Sequence, residues 1–388
     1  MNEKERFLAV CNGEKPDYYP IFGMAGAPGF SAGCQWPAHK RLVAGGMPEW
    51  VGGVYKDGDF RGQDTWDRYW GTTGAMHIDF FPADGFSEPL KYSSRVEGGF
   101  EIVECETGSV TRQVLDNESM YSMPEFVRYD VRDRASWEYY KKRTAVSKPW
   151  PAGRIDEACK KFDARDKPLC VHLGSTWGMI RGLMGTEAAS LLLYDDPELA
   201  HDMIEVQLRR NREFMFPLIE RLKPEIVATG EDNCYNHGML ISPKHFREFC
   251  SPLYKEASEA ARANGAAMMA VDSDGNVMEL VPLLIESGFN ALFPFECKAG
   301  NDLFKLRERH PNFIMFGWLE KELVNEGNER LIEAELKTKV PPLLAKGRYF
   351  PNGDHGIQPD ITFYGLCKLM TLLHEMTGNP EGEFPRVE

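Results

Sequence analysis

The sequence predicts an α/β protein built as a single (β/α)8 barrel of the TIM type over residues 1–388, with an antiparallel β insertion in its N-terminal half. Two observations carry this. From Leu169 onward, short apolar runs alternate with longer amphipathic ones, the pattern of repeated βαβ units and hence of a parallel sheet. Residues 85–165 interrupt that rhythm with alternating polar and apolar segments punctuated by paired glycines, which reads as hairpins.

Taken in chain order, Tyr19–Gly23 is the first expected strand and Ile78–Phe81 the second. The remaining six are Leu169–Leu173, Ile226–Thr229, Ala267–Val271, Ala291–Phe295, Phe313–Phe316 and Tyr349–Pro351. Eight parallel strands close a barrel. Ser242–Asn264, Asn276–Glu286 and Asn325–Ala345 have helical length, and Gly265, Gly288 and Gly347 stand where helix C-caps are expected. Residues 25–75 are rich in Gly, Trp and Tyr without periodicity, as expected of long loops covering one end. Within 85–165, Tyr92–Leu115 carries Gly98-Gly99 and Thr107-Gly108 between alternating segments, and Ser136–Thr144 reads as a charged helix. This insert is expected to act as a lid or as the contact of a homodimer.

The formal net charge is −14, which repels nucleic acid and anionic membrane surfaces over most of the molecule. No run approaches the roughly 20 apolar residues needed to cross a bilayer, and the opening Met1-Asn-Glu-Lys-Glu-Arg6 has no signal-peptide character. The nine cysteines are scattered without a C-x-x-C pair, pointing to free thiols in a reducing cytoplasm. No Gly-x-Gly-x-x-Gly or phosphate-loop pattern occurs, so no nucleotide cofactor is expected.

In a barrel the functional side chains leave the C-terminal ends of the strands. The fourth expected strand ends in Glu231-Asp-Asn-Cys234, the fifth in Asp272-Ser-Asp-Gly275, the sixth in Glu296-Cys297 and the eighth in Asp354-His-Gly356. Such carboxylates repel one another unless a cation joins them. Glu231, Asp272, Asp274 and His355 are therefore the candidate ligands of zinc or another divalent ion, with Cys297 as a possible addition. Asp272 and Asp274 form the strongest pair, since alternate residues leaving a strand share a side. The competing reading is that these acids cap the following helices. His237 stands in a loop from which it reaches the same mouth, or else is a surface residue. His39, His77, His172, His201, His245, His310 and His374 show no ligand spacing and read as structural.

Several segments resemble the uroporphyrinogen decarboxylase superfamily. They are Gly13-Glu-Lys-Pro-Asp-Tyr-Tyr-Pro-Ile21, Arg181-Gly-Leu-Met-Gly-Thr-Glu187 with Asp195-Asp-Pro-Glu198, Ile241-Ser-Pro-Lys-His-Phe246 with Ser251-Pro-Leu-Tyr254, and Gly353-Asp-His-Gly-Ile-Gln-Pro-Asp360. The resemblance runs from about residue 5 to 376. True decarboxylases of that family bind a polycarboxylate through arginines after the first strand, where this chain has Met24-Ala-Gly-Ala-Pro-Gly29. The resemblance is closer to the corrinoid-dependent methyltransferases, whose thiol-alkylating members hold zinc at positions matching Asp272, Asp274 and His355 here.

An oxygen-rich set in place of thiolates suits a substrate that presents oxygen. The resemblance thus implies the demethylating component of an O-demethylase system, taking methyl from a small methoxylated, aromatic donor to the cobalamin of a separate corrinoid protein. Methyltransferases acting on methylamines or thioethers, a decarboxylase-like lyase, and a non-enzymatic scaffold that docks a corrinoid protein are the alternatives. A Lewis acid or a general acid would neutralise the departing oxide, with Asp232, Glu296 and His237 as candidate acids. Met24, Trp177 and Trp318 fall at or just beyond strand ends and are the expected substrate contacts.

Overall fold

The computed structural model describes residues 1–22, 36–54, 60–78, 89–115, 124–146 and 152–387. Its centre is a curled parallel sheet of seven strands in sequence order: Met76–His77, Leu169–His172, Ile226–Gly230, Met268–Asp272, Ala291–Phe293, Ile314–Phe316 and Tyr349–Phe350. Between its two edges lies Ile21-Phe22. Phe22 bridges Thr73 in parallel, the Thr73 N–H donates to the Ile21 carbonyl at 3.0 Å, and the Asn352 amide donates to the Phe22 carbonyl at 2.6 Å. Of the eight expected strands seven form the curled sheet, and the first is reduced to a bridge at Phe22 that pairs through its backbone on one side and through the Asn352 side chain on the other.

That reduction has a local cause. Pro20 has no N–H to give a ladder, and the Tyr19 N–H is spent on the Thr377 carbonyl of the C-terminal helix. The expected second strand at Ile78–Phe81 is displaced to Met76–His77, while residues 79–81 fall outside the described set. Pro294 and Pro351 likewise end the strands at Phe293 and Phe350, short of the expected Phe295 and Pro351.

Side chains alternate along every strand. Leu169, Val171, Val227, Met269, Val271, Leu292 and Met315 face the surrounding helices. Cys170, Ile226, Ala228, Met268, Ala270, Phe293, Phe316 and Phe350 fill the lumen. The N-terminal helix Glu3–Asn12 plugs the lower end: Phe7 packs on Phe22 and Phe350 at ring separations of 5.2 and 5.4 Å.

The expected helix Ser242–Asn264 is a helical run from Pro243 to Ala263 interrupted by a wide π turn at Phe246–Cys250, just before Pro252. A second wide turn at Asn211–Met215 precedes Pro217. In both cases a proline without an N–H breaks the i to i−4 ladder, and the preceding turn widens. The helix expected from Asn276 starts only at Leu280.

The antiparallel sheet stands apart from the barrel sheet, with strands Tyr92–Glu97, Phe100–Cys105, Val110–Val114 and Glu125–Arg128 paired consecutively. Gly98 and Gly99 turn the first hairpin with φ of 59° and 84°, the left-handed pair that a two-residue turn requires. The helix that follows, Arg134–Arg143, is capped by Asp133 and buries Trp137 against the barrel helices. Among the described residues no helix is long and apolar enough to cross a membrane.

Candidate functional site at the barrel mouth and in the lumen

The strand ends converge through backbone bonds. The N–H groups of Glu231 and Asp232 both reach the Asp272 carbonyl, at 2.9 and 3.3 Å, and the Ser273 N–H reaches the Phe293 carbonyl at 3.0 Å. Asp272 continues the lumen-facing series Met268, Ala270, Asp272. Its carboxyl group is pushed up to about 7, first by burial and then by the charges of Asp274 and Asp232, with His355 pulling the other way.

Beside it, Asp274 and His355 form an ion pair at 3.3 Å. Burial pushes Asp274 up, but the His355 hydrogen bond and the charges of His355, Lys321 and Arg181 leave it below the usual carboxylate range. His355 is raised, chiefly by its hydrogen bond to Asp274 and against the cost of burial. The mouth therefore sets a carboxyl pushed well above the usual carboxylate range beside an Asp274–His355 pair in which each partner favours the other's charged form.

The other expected residues have different partners. Glu231 is 1% exposed. Its carboxylate accepts from the Thr176 N–H at 2.8 Å, the Thr176 hydroxyl at 3.0 Å and the Gly178 N–H at 2.7 Å. It thus caps the Trp177–Met184 helix from the neighbouring strand end. Asp232, with φ of 47°, pairs with Arg181. Glu296 accepts from the Gly275 N–H at 2.8 Å and from Lys321 at 3.3 Å. His237 is exposed in the turn joining Cys234–Tyr235 to Gly238–Met239, its ring edge-on to Tyr235.

Trp177 and Trp318 are buried, and their indole N–H groups are taken by the carbonyls of Asp232 at 3.2 Å and Asn301 at 2.8 Å. Both anchor loops in this structure rather than present an open ring to the mouth. Met24 lies outside the described residues. The Cys297 thiol donates to the Trp318 carbonyl at 3.2 Å.

The expected four-residue metal cage is not gathered here. Both oxygens of Glu231 are committed to the Thr176–Gly178 turn. Asp272, Asp274 and His355 do not bring their donor atoms together as a group, and among the described residues the group that does is His77, Cys170 and His172, within 4.8 Å. These three lie deeper, in the lumen. The Cys170 sulfur and His172 Nε2 are 3.5 Å apart, and the two imidazoles stack at 5.4 Å. Burial lowers His77 and brings His172 down to about 4, so both rings are neutral, while it pushes the Cys170 thiol up to about 12.

A cavity of about 30 Å³ adjoins them, walled by Phe22, Phe293, Phe316 and Asn352. Sequence reading passed over this trio because His77 is remote in the chain. The usable signal was Cys170-x-His172, an alternate pair on one strand face, the same spacing that drew attention to Asp272 and Asp274.

The fold is that of a (β/α)8-barrel protein, an architecture whose functional side chains ordinarily leave the C-terminal ends of the strands. The profile of the uroporphyrinogen decarboxylase (URO-D) family matches residues 124–376, and the chain belongs to that family. Among solved structures, a methyltransferase from Methanosarcina mazei shares the fold with a TM-score of 0.56 and 15% identity, over 94% of this chain and 96% of that one. No curated protein sequence matches the chain.

Proposed function

We propose that the chain is a methyltransferase that demethylates a small methoxylated compound, aromatic in class, and delivers the methyl group to the cobalt of a partner corrinoid protein. The observation that carries this is Asp272, a lumen-facing carboxyl at a strand end whose proton is retained to about pH 7. Support comes also from the absence of arginine in Met24-Ala-Gly-Ala-Pro-Gly29, where decarboxylases hold their polycarboxylate. The fold shared with a methyltransferase agrees.

A methyl ether is a poor electrophile because its leaving oxygen is a strong base. Asp272 supplies what that oxygen needs: its carboxyl proton passes to the ether oxygen as the carbon–oxygen bond breaks, so that a neutral alcohol or phenol leaves. Burial first, and then like-charge repulsion from Asp274 and Asp232, keep the proton on Asp272 beforehand, and His355, when protonated, steadies the Asp272 carboxylate that remains. A corrinoid on the partner, when docked, would supply the nucleophilic electron pair for the methyl carbon. Asp232, Glu296 and His237 rank behind Asp272 as acids, the first two because their oxygens are already bound to Arg181, Lys321 and Gly275.

The test is a methyl-transfer screen against free cob(I)alamin, followed by its absorbance, with methoxylated aromatics, methylamines and thioethers as donors. A methoxylated aromatic is expected to react, and Asp272→Asn to slow that reaction by about 10²–10⁴-fold. Reaction with a methylamine or thioether alone would replace the substrate class. Full activity of Asp272→Asn would remove the proposed acid.

A further inference from the structure

We propose that His77, Cys170 and His172 form a metal site inside the barrel, suited to a tetrahedral zinc-like ion with one coordination position left open. The site stands apart from the methyl-transfer reading, because its donors line the cavity deeper in the lumen, whereas Asp272, at its strand end, is not among the residues lining that cavity.

The donors come from two adjacent parallel strands. His77 is in register with Cys170, and His172 follows Cys170 by two residues, which turns both to the same face. Their ligand atoms all fall within 4.8 Å of one another. An ion bound at roughly 2.3 Å to sulfur and 2.0–2.1 Å to nitrogen in a tetrahedron separates the two ligands by about 3.5 Å. The Cys170 sulfur and His172 Nε2 stand 3.5 Å apart, so that edge of the tetrahedron is already formed.

A thiol–imidazole hydrogen bond explains that pair alone, but it leaves His77 unaccounted for. Among the described residues the His77 ring makes no hydrogen bond, and the His172 ring stacks on it at 5.4 Å. The His77 ring thus keeps a nitrogen lone pair available beside the cavity, and one cation would engage a lone pair from each of the three donors. Two imidazoles and one sulfur select zinc or a similar borderline-soft ion over calcium or magnesium, which prefer oxygen. The adjoining cavity of about 30 Å³ has room for one water-sized fourth ligand. Three protein ligands and an open position is the arrangement of reactive rather than purely structural zinc.

The full-length protein, purified without chelator, is to be assayed by elemental analysis, by zinc titration against a chelator, and by absorbance after cobalt(II) loading. One equivalent of zinc and a thiolate-to-cobalt charge-transfer band are expected. Neighbours of metal ligands alone are worth roughly 10–100-fold in affinity, so Cys170→Ser, His77→Gln and His172→Gln are each expected to weaken zinc binding by about a hundredfold or more. Cys170→Ser, nearly isosteric, should also abolish the band. Asp272→Asn and Glu231→Gln should leave stoichiometry intact. Wild-type protein that takes up neither ion, or a cobalt spectrum without the thiolate band, overturns the site, and this holds even if a variant fails to fold. Metal retained by Cys170→Ser but lost by Asp272→Asn overturns it too, by placing the ion at the mouth.

Discussion

Asp272 shows how far one carboxyl can be read from sequence. Its position at a strand end, alternate with Asp274, was legible as a cluster of charge needing compensation. What compensates it was not legible, because this depends on burial and on His355, which arrives from the other end of the chain. In the structure Asp272 lies buried beside the Asp274–His355 ion pair, and burial first, then the charges of Asp274 and Asp232, push its carboxyl up to about 7. A stability signature follows. An unfolded aspartate titrates near 3.9, and in the fold Asp272 titrates at about 7. The folded state therefore holds more protons between those values. The stability this group contributes is complete below about pH 4 and is lost as pH rises through 7. Asp272→Asn should accordingly match the wild type near pH 4 and exceed it at pH 8, by about 1–2 kcal/mol once solvent screening of a half-buried group is allowed for. Thermal melts at the two pH values check the sign. A variant less stable than wild type at pH 8 would show that the Asp272 charge is stabilised rather than strained.

Glu231 acts on an element. Acids after strands were expected either to bind a cation or to cap helices, and nothing in the local sequence chooses between these. For Glu231 the choice is made by Thr176 and Gly178, which begin a helix supplied by the neighbouring βα unit. Glu231→Ala leaves two buried donors and one part-buried donor without an acceptor, and each buried one costs about 1–3 kcal/mol. A loss of about 3 kcal/mol or more in urea unfolding is expected, against about 1 kcal/mol for Glu231→Gln, which keeps an acceptor. Equal, small losses for both would mean that water replaces the cap. The same dependence on tertiary partners explains the helix errors. Ser242–Asn264 was readable as helical, but the wide turn before Pro252 reflects how the chain satisfies its backbone once that proline is in place.

The barrel as a whole was largely legible, because strands covered on both faces read as continuous apolar runs, and six of them follow one another from Leu169 to Phe350. Its opening was less so: Pro20 denies the first strand its ladder, and the second is two residues long. The lumen trio was invisible for the opposite reason, since only the closed sheet sets His77 against Cys170.

The insert gives the last prediction. Its four-stranded sheet exposes Tyr92, Val96, Val114, Phe126 and Val127, so the sheet itself adds little to the core. Within the sheet segment Glu106 pairs with Arg143 at 2.6 Å and the Ser109 N–H donates to Asp130 at 3.1 Å, and the rest of the attachment is made further on. The Val131 N–H donates to the Leu183 carbonyl at 2.9 Å, Arg134 pairs with Asp196 at 2.6 Å, Trp137 is 1% exposed, and a side chain at Gly185 would meet the Tyr129 ring at 2.5 Å. The first and last strands are the two edges of the sheet, about 15 Å apart at three inter-strand spacings, a gap that a short Gly-Ser linker spans. Replacing residues 92–128 by such a linker, with Tyr129 onward retained, should leave the barrel folded and its melting temperature within a few degrees of wild type, because little apolar area is lost from the main core. If the sheet works as a lid over the mouth, the same deletion should raise the KM for the methyl donor while sparing the fold. Collapse of the fold on deletion would instead make the sheet an integral part of the barrel. An unchanged KM with an intact fold would exclude a lid and leave the sheet's exposed face without a role in the reaction.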